Sequence, residues 1–304
     1  MYSSIADLCK QSKEQDRFIW EIVLENETIN SGKTKDEIYK EMDRRLEVME
    51  KSATRALQVP FDTVGNLIRG SASTQYTYTK SEEDGAKTIC GTFMNEAMAM
   101  ALSCCEINAA MGKICAAPTA GSCGILPAVL LSVRNRFGLD RQKVFEGMLT
   151  ASGIGAVVMK NATVAGAEGG CQAECGVAAA MAAGAAVHMR GGSADMIANA
   201  CGFTLMNCMG LVCDPVAGLV QLPCALRNAS QTVNALTSAD IALSGAPCLI
   251  PADEVIDAMY RVGKALPSSL KETAEGGVAA TPAGRRINQE IFGSHPSGEN
   301  HSQS

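Results

Sequence analysis

Between Thr34 and Leu57 one pattern dominates. Ile38, Met42, Leu46, Met49, Ala53 and Leu57 recur at steps of four, four, three, four and four, with charged residues between them. That is the period of a helix with one apolar stripe, and Thr34 stands where an N-cap belongs. The stripe must be covered, either by the rest of the chain or as a docking face for a partner. Upstream, Phe18, Ile22 and Val23 share a helical face. They predict a helix over 14–26, and Ser31-Gly32 is the breaker that follows. Residues 72–80 read differently. Thr74, Tyr76 and Tyr78 favour extended backbone, so a short strand pair or an exposed loop is expected there.

From residue 86 onward charges thin out, and Ala, Met, Cys and Gly take over. The runs 86–111, 125–137, 140–160, 175–189, 193–208, 219–235 and 253–265 read as helices. Pro127 falls near the first turn of the second, and Asp140 caps the third. Several of these runs are apolar all round, so they must be central. Gly-rich junctions separate them at 117–124, 165–170, 213–218 and 275–277. Glycine permits turns and close backbone approaches, and such junctions are where a site is expected. The pattern therefore predicts an all-α fold of buried central helices in a single domain over 1–292. Within it, 1–60 is a peripheral helical segment and 61–292 the core. The polar stretch 293–304 is expected to be a disordered tail.

Composition agrees. Hydrophobic residues make up 47% of the 304 and charged residues 19%, which excludes a disordered chain. Aromatics are 4%. Small and flexible apolar residues suit close-packed helices better than β sandwiches. The net charge of −6 comes with no basic stripe interleaved with aromatics, so no nucleic-acid partner is expected. The longest apolar run, 176–189, falls short of the roughly 20 residues that span a bilayer. No membrane association and no signal peptide are expected, and a cytoplasmic location follows. In a reducing cytosol the 13 cysteines are free thiols or metal ligands rather than disulfides. Most should be small core hydrophobes. Cys-x-x-Cys pairs are absent and only three histidines occur, which disfavours zinc.

Three segments carry candidate chemistry. They are Ala116-Ala117-Pro118-Thr119-Ala120-Gly121-Ser122-Cys123-Gly124, then Gly166-Ala167-Glu168-Gly169-Gly170-Cys171-Gln172-Ala173-Glu174, then Cys213-Asp214-Pro215-Val216-Ala217-Gly218 with Gln221-Leu222-Pro223-Cys224. In that order and spacing the chain resembles the α subunit of iron–sulfur L-serine dehydratases of the two-chain type. The likeness runs from about Phe61 to Phe292 and includes Glu272-Thr273-Ala274-Glu275-Gly276-Gly277.

The resemblance implies an L-serine ammonia-lyase that turns L-serine into pyruvate and ammonia. It implies a [4Fe–4S] cluster on Cys171, Cys213 and Cys224, and a β subunit as partner. Three thiolates leave one iron open to act as a Lewis acid on the substrate hydroxyl. Cys175, four residues from Cys171, could pair with it on a metal but is read as core. Cys115 and Cys123 flank the first segment and could line the site. Glu168, Glu174 and Asp214 are the candidate bases, because a carboxylate in an apolar pocket takes a raised pKa. Each could instead bond turn backbone or orient a cysteine. His188 lies in a small-residue helix and reads as a buried, satisfied histidine. Thr119, Ser122 and the backbone at Gly121 suit a substrate carboxylate, with turn capping as the alternative. Lys113 could add positive charge or simply end a helix. Rival readings are an L-cysteine desulfidase-like β-elimination and a non-catalytic metal-containing subunit.

Overall fold

A computed structural model describes residues 2–80 and 88–293. Among the described residues there are thirteen α-helices and no strand, so the domain is all-α. The predicted tail at 294–304 and the predicted helical start at 86–87 lie outside the described residues.

Three helices open the chain: α1 (Ile5–Glu14), α2 (Ile19–Ser31) and α3 (Lys35–Arg55). The helix expected over 14–26 is α2, but it starts at Ile19 rather than at 14 and runs on to Ser31, because the α1–α2 junction intervenes. Asp16 adopts φ +50°, which a continuing helix cannot accommodate, and Glu21 accepts the Phe18 N–H at 2.8 Å to start α2 afresh. Thr34 caps α3 as its sequence predicts, with Glu37 closing a capping box. The α3 stripe is internal. Ile38, Met42, Leu46, Met49 and Ala53 join the main core, and Leu57 joins a second, smaller cluster. It is therefore not a docking face. Burying such side chains stabilises the fold by about 1.5–3 kcal/mol each.

The segment expected to be extended forms a helix, α4 (Ser71–Lys80). Tertiary packing overrides the local preference of Thr and Tyr. Ala72 and Thr79 are buried against α5 (Gly91–Ala109). Thr79 bonds back to the Gln75 carbonyl at 2.8 Å, and Gln75 reaches Asn95 on α5 at 2.6 Å.

Next come α6 (Ile125–Phe137) and α7 (Arg141–Asn161), the latter capped by Asp140. A one-turn α8 (Gly166–Gly169) and a π-helical turn, Gln172–Gly176, lead into α9 (Val177–Met189). The regular helix thus starts two residues later than its pattern suggests. Every residue of α9 is buried, with α6, α7, α10 (Ala194–Asn207) and α11 (Cys224–Leu243) around it. Its alanines and Gly184 allow this crowding: a Cβ at Gly184 would collide with Ile154 of α7.

Helix α11 begins at Cys224 rather than at 219, because a proline disfavours α conformation in the residue before it and Pro223 follows Leu222. It then runs on to Leu243. The last two helices are α12 (Ala252–Ala265) and α13 (Pro282–Phe292). No helix among the described residues is long and apolar enough to cross a membrane.

Candidate metal centre

The Gly-rich junctions at 165–170, 213–218 and 117–124, with Cys224 after the second, meet beside the N-terminal end of α9. Cys171 precedes the π turn, whose wider spiral re-aims side chains that a plain α-helix would space differently. Gln172 fixes that turn from inside. Its Nε2 donates to the Gly169 and Met259 carbonyls at 3.0 and 3.1 Å, and its Oε1 accepts the Gly210 N–H at 2.8 Å. Cys213 sits on a short parallel bridge. Its N–H donates to the Leu270 carbonyl at 2.9 Å, and its carbonyl accepts from the Glu272 N–H at 2.7 Å. Cys224 is the first residue of α11.

Cys171, Glu174 and Cys213 each bring a ligand atom within 4.8 Å of the others. Cys224 lies outside that group, yet is near enough for the charges of Cys171 and Glu174 to act on its thiol. Burial first, and then those charges, push it up to about 12. Cys175 is fully buried and hydrogen-bonded to Cys171.

One thiol departs from its neighbours. Cys171 is driven down, toward thiolate, by hydrogen bonds from the Cys175 and Cys213 thiols and by the Arg227 guanidinium, against the cost of burial. Cys213 and Cys175 are driven up in return, first by their bonds to Cys171. Arg227 is 15% exposed and does three things at once. It approaches Cys171, donates to the Val212 carbonyl at 2.7 Å, and places Nη2 2.7 Å from Asp214 Oδ1. The last contact is a close ion pair without an aligned hydrogen bond. Asp214 Oδ2 accepts the Val278 N–H at 2.7 Å. Residue 277 must be glycine there, since its φ is +58° and a Cβ would run into the Asp214 carboxylate.

Glu174 is 9% exposed and accepts a hydrogen bond from the Thr119 hydroxyl. Burial pushes its carboxyl up to about 7, helped by the charges of Cys171 and Glu272 and opposed by the Thr119 bond. Thr119 Oγ1 lies 3.2 Å from Ser122 Oγ, and Ser122 is fully buried. Gly121 is tight against Glu174, whose Oε1 would stand 2.5 Å from a Cβ at that position. Asn228 pins this loop from α11. It donates to the Gly121 and Cys224 carbonyls at 2.7 and 2.9 Å and accepts the Gly124 N–H at 3.0 Å.

Of the residues singled out from sequence, Cys171, Cys213, Cys224, Glu174, Asp214, Thr119, Gly121 and Ser122 are thus gathered at one place. Glu168 and Lys113 are exposed. Cys123 is buried beside Cys104 and Cys105, while Cys115 lines a separate apolar cavity under α3. His188 is buried 3.0 Å from Glu146. Sequence reasoning missed Gln172, Arg227, Asn228 and Glu272. Arg227 and Asn228 follow Cys224 by three and four positions, the spacing that shares a helix face, so a signal was available.

The donor set suits a thiophilic metal group: buried sulfurs, one held toward thiolate by a cation, at glycine junctions that leave room. Gly166 marks that room. A Cβ there would lie 3.1 Å from Cys213 Sγ and 3.3 Å from Glu174 Oε2.

The serine dehydratase alpha chain family matches residues 14–279. The L-serine dehydratase alpha chain of Peptoniphilus asaccharolyticus is 48% identical over 288 residues, 95% of this chain and 96% of that one. The probable L-serine dehydratase alpha chain of Bacillus subtilis is 43% identical over 293 residues, 96% of each chain. An L-serine dehydratase of Streptomyces coelicolor is 36% identical over 276 residues, 90% of this chain but 59% of its own length. This chain belongs to the serine dehydratase alpha chain family.

Proposed function

We propose that the chain is the catalytic α subunit of an iron–sulfur L-serine dehydratase, which converts L-serine to pyruvate and ammonia. The observation that carries this reading is the convergence of Cys171, Cys213 and the Glu174 carboxylate in a member of this family. Cys171, Cys213 and Cys224 are the residues that would hold a [4Fe–4S] cluster. When bound, such a cluster supplies a Lewis acid, because three thiolates leave one iron without a protein ligand.

The chain's own residues supply the rest. Arg227 favours the thiolate form of Cys171, and Asp214 holds Arg227 in place. Asp214 is thereby a positioning residue rather than a base. Glu174 is the base that takes the Cα proton. Thr119 holds its Oε1, and its Oε2 lies toward Cys213 and the space at Gly166. Backbone N–H groups of the turn from Thr119 to Gly121 receive the substrate carboxylate, with the Thr119 hydroxyl kept on Glu174 and Ser122 supporting the turn behind them. Glu168 and Lys113, both exposed, carry no step. Loss of the Cα proton and of the β-hydroxyl as water leaves an aminoacrylate. It tautomerises to the imine, and addition of water releases ammonia and pyruvate.

A β subunit completes the enzyme. Two relatives are named as alpha chains, and the Streptomyces relative carries further sequence in the same polypeptide.

The test is anaerobic. The chain is loaded with iron and sulfide, combined with its β subunit and assayed for iron, visible absorbance and pyruvate from L-serine. Bound iron with a broad brown absorbance and serine-dependent pyruvate is the expected result. A loaded complex that released pyruvate from L-cysteine but not from L-serine would replace the substrate. A loaded complex inert to both would make this a metal-containing subunit without catalysis.

A further inference from the structure

Glu272 has no part in the scheme above, yet its backbone is tied to that of Cys213. Its N–H donates to the Cys213 carbonyl at 2.7 Å, one residue past the parallel bridge between Cys213 and Lys271. Its φ is +66°, a left-handed conformation that a side chain such as glutamate adopts only when its surroundings impose it. Two residues on, Ala274 is left-handed as well, at +59°.

This backbone delivers the carboxylate to the centre. The position a Cβ would take at Gly166 lies 3.1 Å from Cys213 Sγ, 3.3 Å from Glu174 Oε2 and 3.6 Å from Glu272 Oε2. Three functional atoms from three segments therefore surround one point that only a glycine leaves clear.

The two carboxylates differ in setting. Glu174 is buried and accepts from Thr119, whereas Glu272 is exposed. No hydrogen bond or ion pair engages the Glu272 carboxylate among the described residues. Asp214 is already committed to Arg227 and to the Val278 N–H. An α-amino acid brings an ammonium that must exchange water for an anion when it enters, because an unpaired charge is costly to desolvate.

We propose that Glu272 is a specificity residue of this site: its carboxylate receives the α-ammonium of the substrate and selects amino acids over hydroxy acids of the same shape. The proposal rests on the serine reading given above. It places the ammonium at the exposed Glu272 side and the Cα proton toward Glu174.

The test uses the loaded complex with its β subunit. In Glu272→Gln, KM for L-serine should rise about tenfold or more, the size of one charge-assisted bond, while kcat changes much less. L-Glycerate carries a hydroxyl where serine carries its ammonium, so its inhibition constant should stay unchanged or fall. Glu272→Asp should recover part of the affinity.

Glu272→Gly separates binding from folding. Glycine adopts this φ freely, so the thermal midpoint should hold or rise while KM rises as in the Gln variant. An unchanged KM in Glu272→Gln would overturn the proposal and leave the dehydratase reading standing. A rise in the glycerate constant parallel to that in KM would also overturn it, by showing a general distortion. Wild-type complex that makes no pyruvate from serine would overturn both.

Discussion

Two groups of buried thiols lie a short way apart in this molecule, and one thiol, Cys171, sets the second apart from the first. Cys104, Cys105 and Cys123 cluster between α5 and the start of α6, with Ser52 3.4 Å from Cys104. All three are buried. Burial holds the Cys104 thiol up, and the Cys123 bond followed by burial holds Cys105 up. Cys171, Cys175, Cys213 and Cys224 are buried as deeply, but Arg227 stands among them and Cys171 is driven down. Burial makes a thiol an inert small hydrophobe, whereas hydrogen bonds and a nearby cation favour the thiolate, the form that binds metal. Cysteine number and burial do not separate the groups; the hydrogen bonds from Cys175 and Cys213 to Cys171, with the Arg227 guanidinium beside them, do.

The comparison breaks most sharply at the cysteines themselves. Cys171→Ala, Cys213→Ala and Cys224→Ala should each abolish iron retention and pyruvate formation, whereas Cys105→Ala and Cys123→Ala should keep both. Cys175→Ala should also keep both although it touches Cys171. Iron analysis beside a pyruvate assay reads this series, and iron lost from the Cys105 or Cys175 variants would redraw the centre. Next in size, Glu174→Gln should lower kcat by about 10²–10⁴ with iron retained, the range for a missing general base. A variant of normal rate would assign the proton to another group.

Arg227→Met tests the guanidinium's share in what sets the two groups apart. It leaves Asp214, 2% exposed, without its cation, and breaking such a buried pair costs about 3–5 kcal/mol. The same change should slow alkylation of Cys171 in the iron-free chain toward the rate of Cys105. Urea unfolding and mass-mapped labelling measure the two effects, and unaltered labelling would remove Arg227 from the account.

The smallest effect comes from a buried polar cluster with no thiol. Burial lowers the His188 pKa below 6.5, so the unfolded chain takes up a proton there before the folded one does. Glu146 is raised by burial but lowered more by Lys143 and His188, so its net shift is below 4.5. Both signs make acid destabilising: stability should fall as pH drops below about 6.5, and again below about 4.5. Thermal midpoints across pH 7.5 to 4 read this, and His188→Gln should flatten the first step.

Legibility followed the source of each signal. The α3 stripe was readable because a helix buried on one side writes its period into the chain. Asp140 and Thr34 were readable because capping is local. Residues 71–80 were not: their threonines and tyrosines prefer extended backbone, and only α5 beside them holds the helix. The α11 boundary was missed although Pro223 signalled it. Within the centre, the cysteines stood out through their glycine- and proline-rich motifs. Arg227 and Asn228 look like ordinary helix residues until the loops they hold are folded against them.

The sequence alone determined the helical class, the caps, the burial of the apolar runs and the glycine-rich junctions between them. Those follow from periodicity and residue type, which act over a few neighbours. Only the tertiary structure decided which face the α3 stripe meets, which of many buried thiols has a cation beside it, and that Glu174 and Glu272 converge on Gly166. Those depend on contacts between residues far apart in the chain, and a guanidinium lowers a thiol's pKa only when folding brings the two together out of water.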